Sequence, residues 1–254
     1  YPDRFSKPSL TESVQLIEGD LAHARSFDGT GTVVAILDSG VEASHPFLAG
    51  KVVEEACYSN LTCPDGSSTQ VGVGAGAPCA DSSAGCYHGT HVAGIAAGKG
   101  VNFTGVAPGA DIMAVQVFTL SNGSLGAYDS DIIAGLERVY ELRDTYNFAS
   151  INMSLGGSNY SAYCDSVSPS MKAVIDNLRS AGIATAIASG NDYLTGAISF
   201  PSCISSAVSV GSTTKSDSVS FFTNEANFMS LWAPGSSINS SLLGGTFGNL
   251  SGTS

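Results

Sequence analysis

The chain has 254 residues, with 10 Lys plus Arg against 22 Asp plus Glu and a formal net charge of −12. Only 13% of residues are charged and 43% are hydrophobic, which excludes a disordered chain, and the acidic balance leaves no basic face for nucleic acid or an anionic membrane surface. No apolar run approaches the roughly 18 residues that cross a bilayer, so no membrane partner is expected.

The length suits one α/β domain, although two smaller ones would also fit it. Tyr1 rather than Met comes first, which reads as a trimmed product. In chain order, β-branched apolar runs recur at Thr32–Leu37, Ile112–Phe118, Ser150–Leu155, Ile183–Ala188 and Ala207–Val210. Apolar at nearly every position, they suit parallel strands covered on both faces. Between them, Ser130 is placed to cap a helix with Ile132, Leu136, Val139 and Tyr140 on one face. Ser168 and Pro169 open a second, with Met171, Val174, Ile175 and Leu178 as its core stripe and Gly182 as its stop. Strand alternating with helix predicts an α/β fold, a doubly wound, mostly parallel central sheet with helices on both faces. The stretch from Cys57 to Cys86 follows neither period and reads as an exposed, disulfide-tied loop.

Six cysteines, Cys57, Cys63, Cys79, Cys86, Cys164 and Cys203, lack the paired CxxC spacing of a zinc site and read as disulfides formed in an oxidising compartment. Pairing among the first four stays open. Asn-x-Ser/Thr triplets begin at Asn60, Asn102, Asn122, Asn152, Asn159, Asn239 and Asn249; Asn152 lies in a predicted buried strand and is an unsuitable glycan acceptor.

Open parallel sheets place ligands at the carboxyl ends of their strands, so residues just after each run are the first candidates. Asp38, Ser39 and Gly40 close the first run; alone, such an Asp is commonly a turn or cap residue. HGTHVAGIAAG, from His88 to Gly98, reads as a closely packed helix rich in small residues. His88 and His91 could be satisfied surface histidines or metal ligands, although zinc helices of the HExxH kind use an i, i+4 spacing with an intervening Glu. Asn191, in Ser189–Asn191 after the fourth run, could donate to an oxyanion or hold a turn. The Gly-rich stretch Gly72–Gly76 lacks the strand and helix that a nucleotide-binding loop needs.

Together, DSG, HGTHVAG, SGN and SGTS in that order, with SLGG at Ser154–Gly157, resemble the motifs of the subtilisin-like serine proteases from about Val14 to the last residue. The resemblance implies a secreted endopeptidase forming one domain over residues 1–254, with polypeptide substrates and no required cofactor. Ser254 would be the nucleophile, His88 its base, Asp38 the group orienting the imidazole, and Asn191 the oxyanion donor. Extended substrate would lie between Ser124, Leu125 and Gly126 on one side and Ser154, Leu155 and Gly156 on the other. Tyr128 would line a specificity pocket and Asp192 would favour a cationic group. It also favours a Cys164–Cys203 bridge, tying the loops after SLGG and SGN. Many subtilisins hold calcium through an Asp after the HP of the first motif; Phe47 stands there and Gly98–Gly105 is short, so calcium is not expected at that usual loop site, while other sites stay open. In the family a buried helix begins at the nucleophile, so a chain ending at Ser254 would be inactive alone, or a catalytically silent binding protein. A pro-segment and a separate C-terminal fragment are the further partners this suggests.

Overall fold

The structure, a computed structural model, describes residues 9–80, 85–121 and 123–254; Tyr1 and Asn122 lie outside them. In chain order the elements are α1 (Ser9–Leu16), α2 (Gly19–Ala24), β1 (Val33–Asp38), β2 (Val52–Tyr58), β3 (Thr69–Val71), α3 (His88–Ala97) and β4 (Asp111–Gln116). There follow β5 (Phe118–Ser121), β6 (Ser124–Ala127), α4 (Asp129–Glu141), β7 (Phe148–Met153), β8 (Asn159–Tyr160), α5 (Pro169–Ser180) and β9 (Ala184–Ala188). The last are β10 (Ile198–Ser199), β11 (Val208–Thr213), β12 (Leu231–Pro234), β13 (Ile238–Leu242) and β14 (Thr246–Leu250).

Eight strands form the main sheet in the order β12-β11-β9-β7-β1-β4-β2-β3, parallel except for β3, which runs antiparallel to β2. Every residue of β1 is buried, as its unbroken apolar run requires of a strand covered on both faces. Its side chains alternate between two cores. Ala35 and Leu37 join Met113, Val115, Ile151 and Met153 beneath α4 and α5, whose Ile132, Leu136, Met171 and Ile175 complete that layer. Val34 and Ile36 join Ile112 and Ala114 on the opposite face, under Val92, Ala93 and Ala97 of α3. Helices therefore cover both faces. The chain reverses its winding direction at β1, between β4 and β7, and such a switch point leaves a crevice at the strand's carboxyl end.

Ser168 caps α5, its hydroxyl accepting from Met171 N at 3.4 Å. For α4 the expectation is corrected. That helix begins at Asp129, with Tyr128 as the extended N-cap, and Ser130 lies inside the first turn. Asp129 and Asp131 there complement the positive end of the helix dipole.

The expected loop from Cys57 to Cys86 is also corrected. Cys57 belongs to β2, and β3 pairs beside it at the sheet edge. Glu54 and Glu55 interrupt the apolar pattern of β2, but each is satisfied: Arg138 donates to Glu54 at 3.0 Å, while Gly74 N and Gly76 N donate to Glu55 at 3.0 and 3.1 Å. Disulfides join Cys57 to Cys63, Cys79 to Cys86, and Cys164 to Cys203. The first two resolve the pairing that spacing alone left open. Outside the main sheet, the β13–β14 hairpin clasps α3: Ser240 Oγ donates to His91 O and Ser241 Oγ to Thr90 O, both at 2.8 Å.

Candidate active site

Asp38 ends β1 at the switch point and is fully buried. Its Oδ1 accepts from Ser39 N at 2.7 Å, and both carboxylate oxygens meet His88 Nδ1, at 2.8 and 3.0 Å. Nδ1 must therefore carry the proton, which leaves Nε2 of neutral His88 with its lone pair free. His88 is the first residue of α3, and the helix reaches β1 because the next residue is Gly89. A Cβ there would lie 2.3 Å from Gly40 O and 3.0 Å from Asp38 Cβ. Ser39 steadies the same junction, its Oγ accepting from Gly89 N at 3.0 Å and donating to Cys86 O at 3.2 Å. Nothing in the sequence alone singles Ser39 out from other serines beyond its place beside Asp38.

Burial is the largest single influence on His88 and opposes its protonation. The charge of Asp38 and its hydrogen bond together outweigh burial and hold the imidazole pKa above its usual 6.5. His91 differs. It is buried, not a surface histidine, and its Nε2 points at Ile238 O and Gly248 O, each at 3.1 Å. Burial is the main cause of a pKa lowered to about 4. Among the described residues no group of three His, Cys, Asp or Glu side chains is gathered as a metal ion would need.

A cleft of about 700 Å³ opens over Asp38 and His88, and Asn191, Asp192 and Ser254 also line it. Asn191 Oδ1 accepts from Thr253 N at 2.9 Å and from Thr253 Oγ1 at 3.1 Å. A backbone N–H can only donate, so this contact assigns the amide orientation and makes Nδ2 the free donor. Thr253 also accepts from Gly190 N at 3.1 Å; its role rests on folded geometry and is invisible in the SGTS string except by position. Ser254 is exposed in the cleft, with no hydrogen bond to His88 among the described residues.

Leu125, Gly126, Ser154, Leu155 and Gly156 line the same cleft. β1 stops at Asp38, whereas the chain beyond β4 continues into the β5–β6 hairpin and the chain beyond β7 into Ser154–Gly157. With β4 and β7 flanking β1, the missing extension leaves a slot about 10 Å across, two strand spacings and hence one strand wide. Ser124 and Tyr128 do not line that cleft. They border a smaller depression of about 240 Å³ beside it, with Thr119, Leu125, Gly126 and Ala127. Asp192, expected to attract cations, already accepts from Asn159 Nδ2 at 3.0 Å and Asn224 Nδ2 at 3.3 Å.

The family model described as the subtilase family matches residues 29–254. The chain belongs to the subtilase family. Subtilisin E of Bacillus subtilis (strain 168) is 34% identical over 252 residues, a match covering 97% of this chain and 58% of that protein. Proteinase R of Parengyodontium album is 33% identical over 229 residues, or 89% of this chain and 50% of that protein. The crystal structure of a cold adapted subtilisin-like serine proteinase superposes with a TM-score of 0.65 at 29% identity, covering 89% of this chain and 71% of that one. This chain thus spans little more than half the length of subtilisin E.

Within the subtilase fold, Phe47 is a buried residue of an aromatic cluster. Its ring lies 4.8 Å from that of Phe103 and 5.5 Å from that of Phe247, centre to centre. The ring fills the space beside Gly98, where a Cβ would come within 2.4 Å of its atoms. Among the described residues no helix is long and apolar enough to cross a membrane.

Proposed function

We propose that residues 1–254 form the peptidase domain of a secreted serine endopeptidase that cleaves polypeptides through an acyl-enzyme. One observation carries the reading: His88, its Nδ1 held by buried Asp38 and its Nε2 free, shares a cleft with Ser254 and with an Asn191 whose Nδ2 is free to donate. In this scheme Nε2 of His88 removes the proton from Ser254 Oγ as that oxygen attacks the scissile carbonyl carbon. Asp38 keeps the imidazole in the required tautomer and stabilises the imidazolium that forms. Asn191 Nδ2 and the Ser254 backbone N–H donate to the carbonyl oxygen as it becomes an oxyanion; loss of such a side-chain donor costs on the order of 10²–10³ in kcat, a magnitude taken from a subtilisin. The imidazolium then protonates the leaving amine, and water, deprotonated by the same nitrogen, hydrolyses the ester. Catalytic hydrogen bonds are often long or poorly aligned without substrate and tighten when it binds.

Substrate enters the one-strand slot as an extended segment, pairing through its backbone with Leu125–Gly126 and Leu155–Gly156, so affinity depends little on sequence. Ser124 and Tyr128 act one pocket further along the bound segment. Asp192 contributes less to cation preference than an unpartnered carboxylate would, because two amides already share its charge. The scheme needs no cofactor, since each proton transfer has a side chain to serve it. Calcium has no ligand oxygen at Phe47, whose ring packs against other apolar side chains.

Export is supported by the disulfides, which persist in oxidising compartments. A relative 32% identical, the major intracellular serine protease of Bacillus subtilis (strain 168), is reason to rest that reading on the cysteines rather than on kinship. A fluorophosphonate probe added to the full-length protein is expected to label Ser254 and to stop cleavage of a casein substrate. Labelling elsewhere, or undiminished cleavage after complete labelling, overturns the proposal.

A further inference from the structure

We infer that Asn224, a residue outside the cleft, is a positioning residue that holds the Asn191 loop in its donating geometry; the inference rests on the function proposed above. Asn224 is fully buried, in the segment between β11 and β12. Its Oδ1 accepts from Asp192 N at 2.9 Å and from Leu194 N at 3.1 Å, and two backbone donors on one oxygen assign the amide orientation. Nδ2 then donates to Asn159 Oδ1 at 3.0 Å, Asp192 Oδ2 at 3.3 Å and Ser199 Oγ at 3.4 Å. Its backbone joins in: Asn224 N donates to Gly190 O, and Ser189 Oγ donates to Asn224 O, both at 2.8 Å.

The loop it holds has positive-φ backbone on both sides of Asn191, freely adopted by Gly190 and strained at Tyr193. Gly190 has φ +110° and Tyr193 has φ +60°, a left-handed conformation that a side-chain-bearing residue keeps only when its surroundings over-determine it. Tyr193 is what turns Asp192 N and Leu194 N toward the same oxygen. Gly190 sits so close to the amide that a Cβ would lie 2.3 Å from Asn224 Nδ2 and 2.2 Å from Ser199 Oγ. Asn191 is thereby fixed from two directions, through its own oxygen by Thr253 and through its flanking backbone by Asn224. Without Asn224 the loop is free to relax and carry Asn191 Nδ2 away from the oxyanion. A misplacement of about 1 Å costs on the order of 100-fold.

Asn224→Ala in the full-length protein should therefore lower kcat on a chromogenic peptide by roughly 10- to 100-fold with KM changed less than about 3-fold, the signature of an interaction used in the transition state. In an Asn191→Ala background the same substitution should cost less than about 3-fold, because the donor it positions is gone. Amide hydrogen exchange at Asp192 and Leu194 should accelerate in Asn224→Ala. If that variant does not fold, exposed Asn159→Ala removes one acceptor of the Asn224 amide without threatening the core, and its smaller kcat loss should likewise vanish when Asn191 is absent. Wild-type protein that the fluorophosphonate fails to label at Ser254 overturns the proposed function and this inference together. A labelled, active wild type in which the Asn224 or Asn159 loss multiplies independently of the Asn191 loss overturns this inference alone.

Discussion

His88 and His91 occupy the same turn of α3 and face opposite chemical environments. His88 opens the helix against a buried carboxylate and lines the cleft, and the ion-pairing gain outweighs burial so that its pKa rises. His91, three residues on and 3% exposed, hydrogen-bonds to carbonyl oxygens of β13 and β14, and burial lowers its pKa to about 4. Burial opposes protonation of both rings, so the difference lies in how far the partner of each ring offsets it. The Asp38 carboxylate more than offsets burial at His88, whereas the carbonyl partners of His91 offset it only in part and leave that ring a neutral strut between helix and hairpin.

Removing each ring is the strongest way to break this contrast. His88→Ala should lower kcat by on the order of 10⁶, the loss known for the corresponding base of a subtilisin. His91→Ala should leave kcat within about 10-fold but cost about 2–4 kcal/mol, because it opens a cavity and strips two carbonyls of their donor. For a chain of this size that corresponds to a fall in Tm of roughly 5–15 °C, measurable by circular dichroism. Comparable kcat losses in the two variants would erase the distinction.

Acidification separates the two rings by sign. His88 has its folded pKa raised above 6.5, so the stability it adds is fully present below pH 6.5 and is lost as pH rises through the raised value. In its proposed role as base it must be neutral, so kcat/KM should climb with pH along an acid limb centred above 6.5. His91 has its folded pKa lowered to about 4, so its contribution is present above pH 6.5 and is lost as pH falls from 6.5 toward 4. At about 1.4 kcal/mol per pH unit, the loss comes to about 3 kcal/mol. His91→Gln keeps a donor for the two carbonyls but cannot titrate. Urea unfolding of that variant between pH 7 and 4 should lack this 3 kcal/mol decline, while its acid limb in kcat/KM stays where the wild type has it. A variant with the wild-type stability decline would show that His91 is not the titrating strut.

The same contrast explains what could be read from the sequence. β1 and β4 are legible because burial on both faces forces apolar residues at nearly every position. Asp38 and His88 are legible because the residue types are themselves the chemistry, although 50 positions separate them. β2 was hidden because Glu54 and Glu55 are compensated by Arg138 and by loop N–H groups that no local pattern reveals. β13 was hidden for a related reason: in INSSL the two buried serines serve α3 carbonyls about 150 positions away. Ser39, Thr253 and Asn224 are ordinary residues locally, and their parts in the site exist only once the strand ends converge.

The smallest expected effect tests whether the hairpin side of α3 is purely structural. Ser241 Oγ donates to Thr90 O, the carbonyl of the residue just before His91, and Thr90 Oγ1 accepts from Glu42 N at 2.9 Å on the other flank. Ser241→Ala removes one neutral hydrogen bond and should cost about 1 kcal/mol, or roughly 2–4 °C in Tm. Because the His88 end of the helix is pinned separately through Asp38, Ser39 and Gly89, neither kcat nor the acid limb should move. A shifted acid limb in Ser241→Ala would mean that the hairpin sets the distance between His88 and Asp38, and the two histidines would then belong to one mechanical unit.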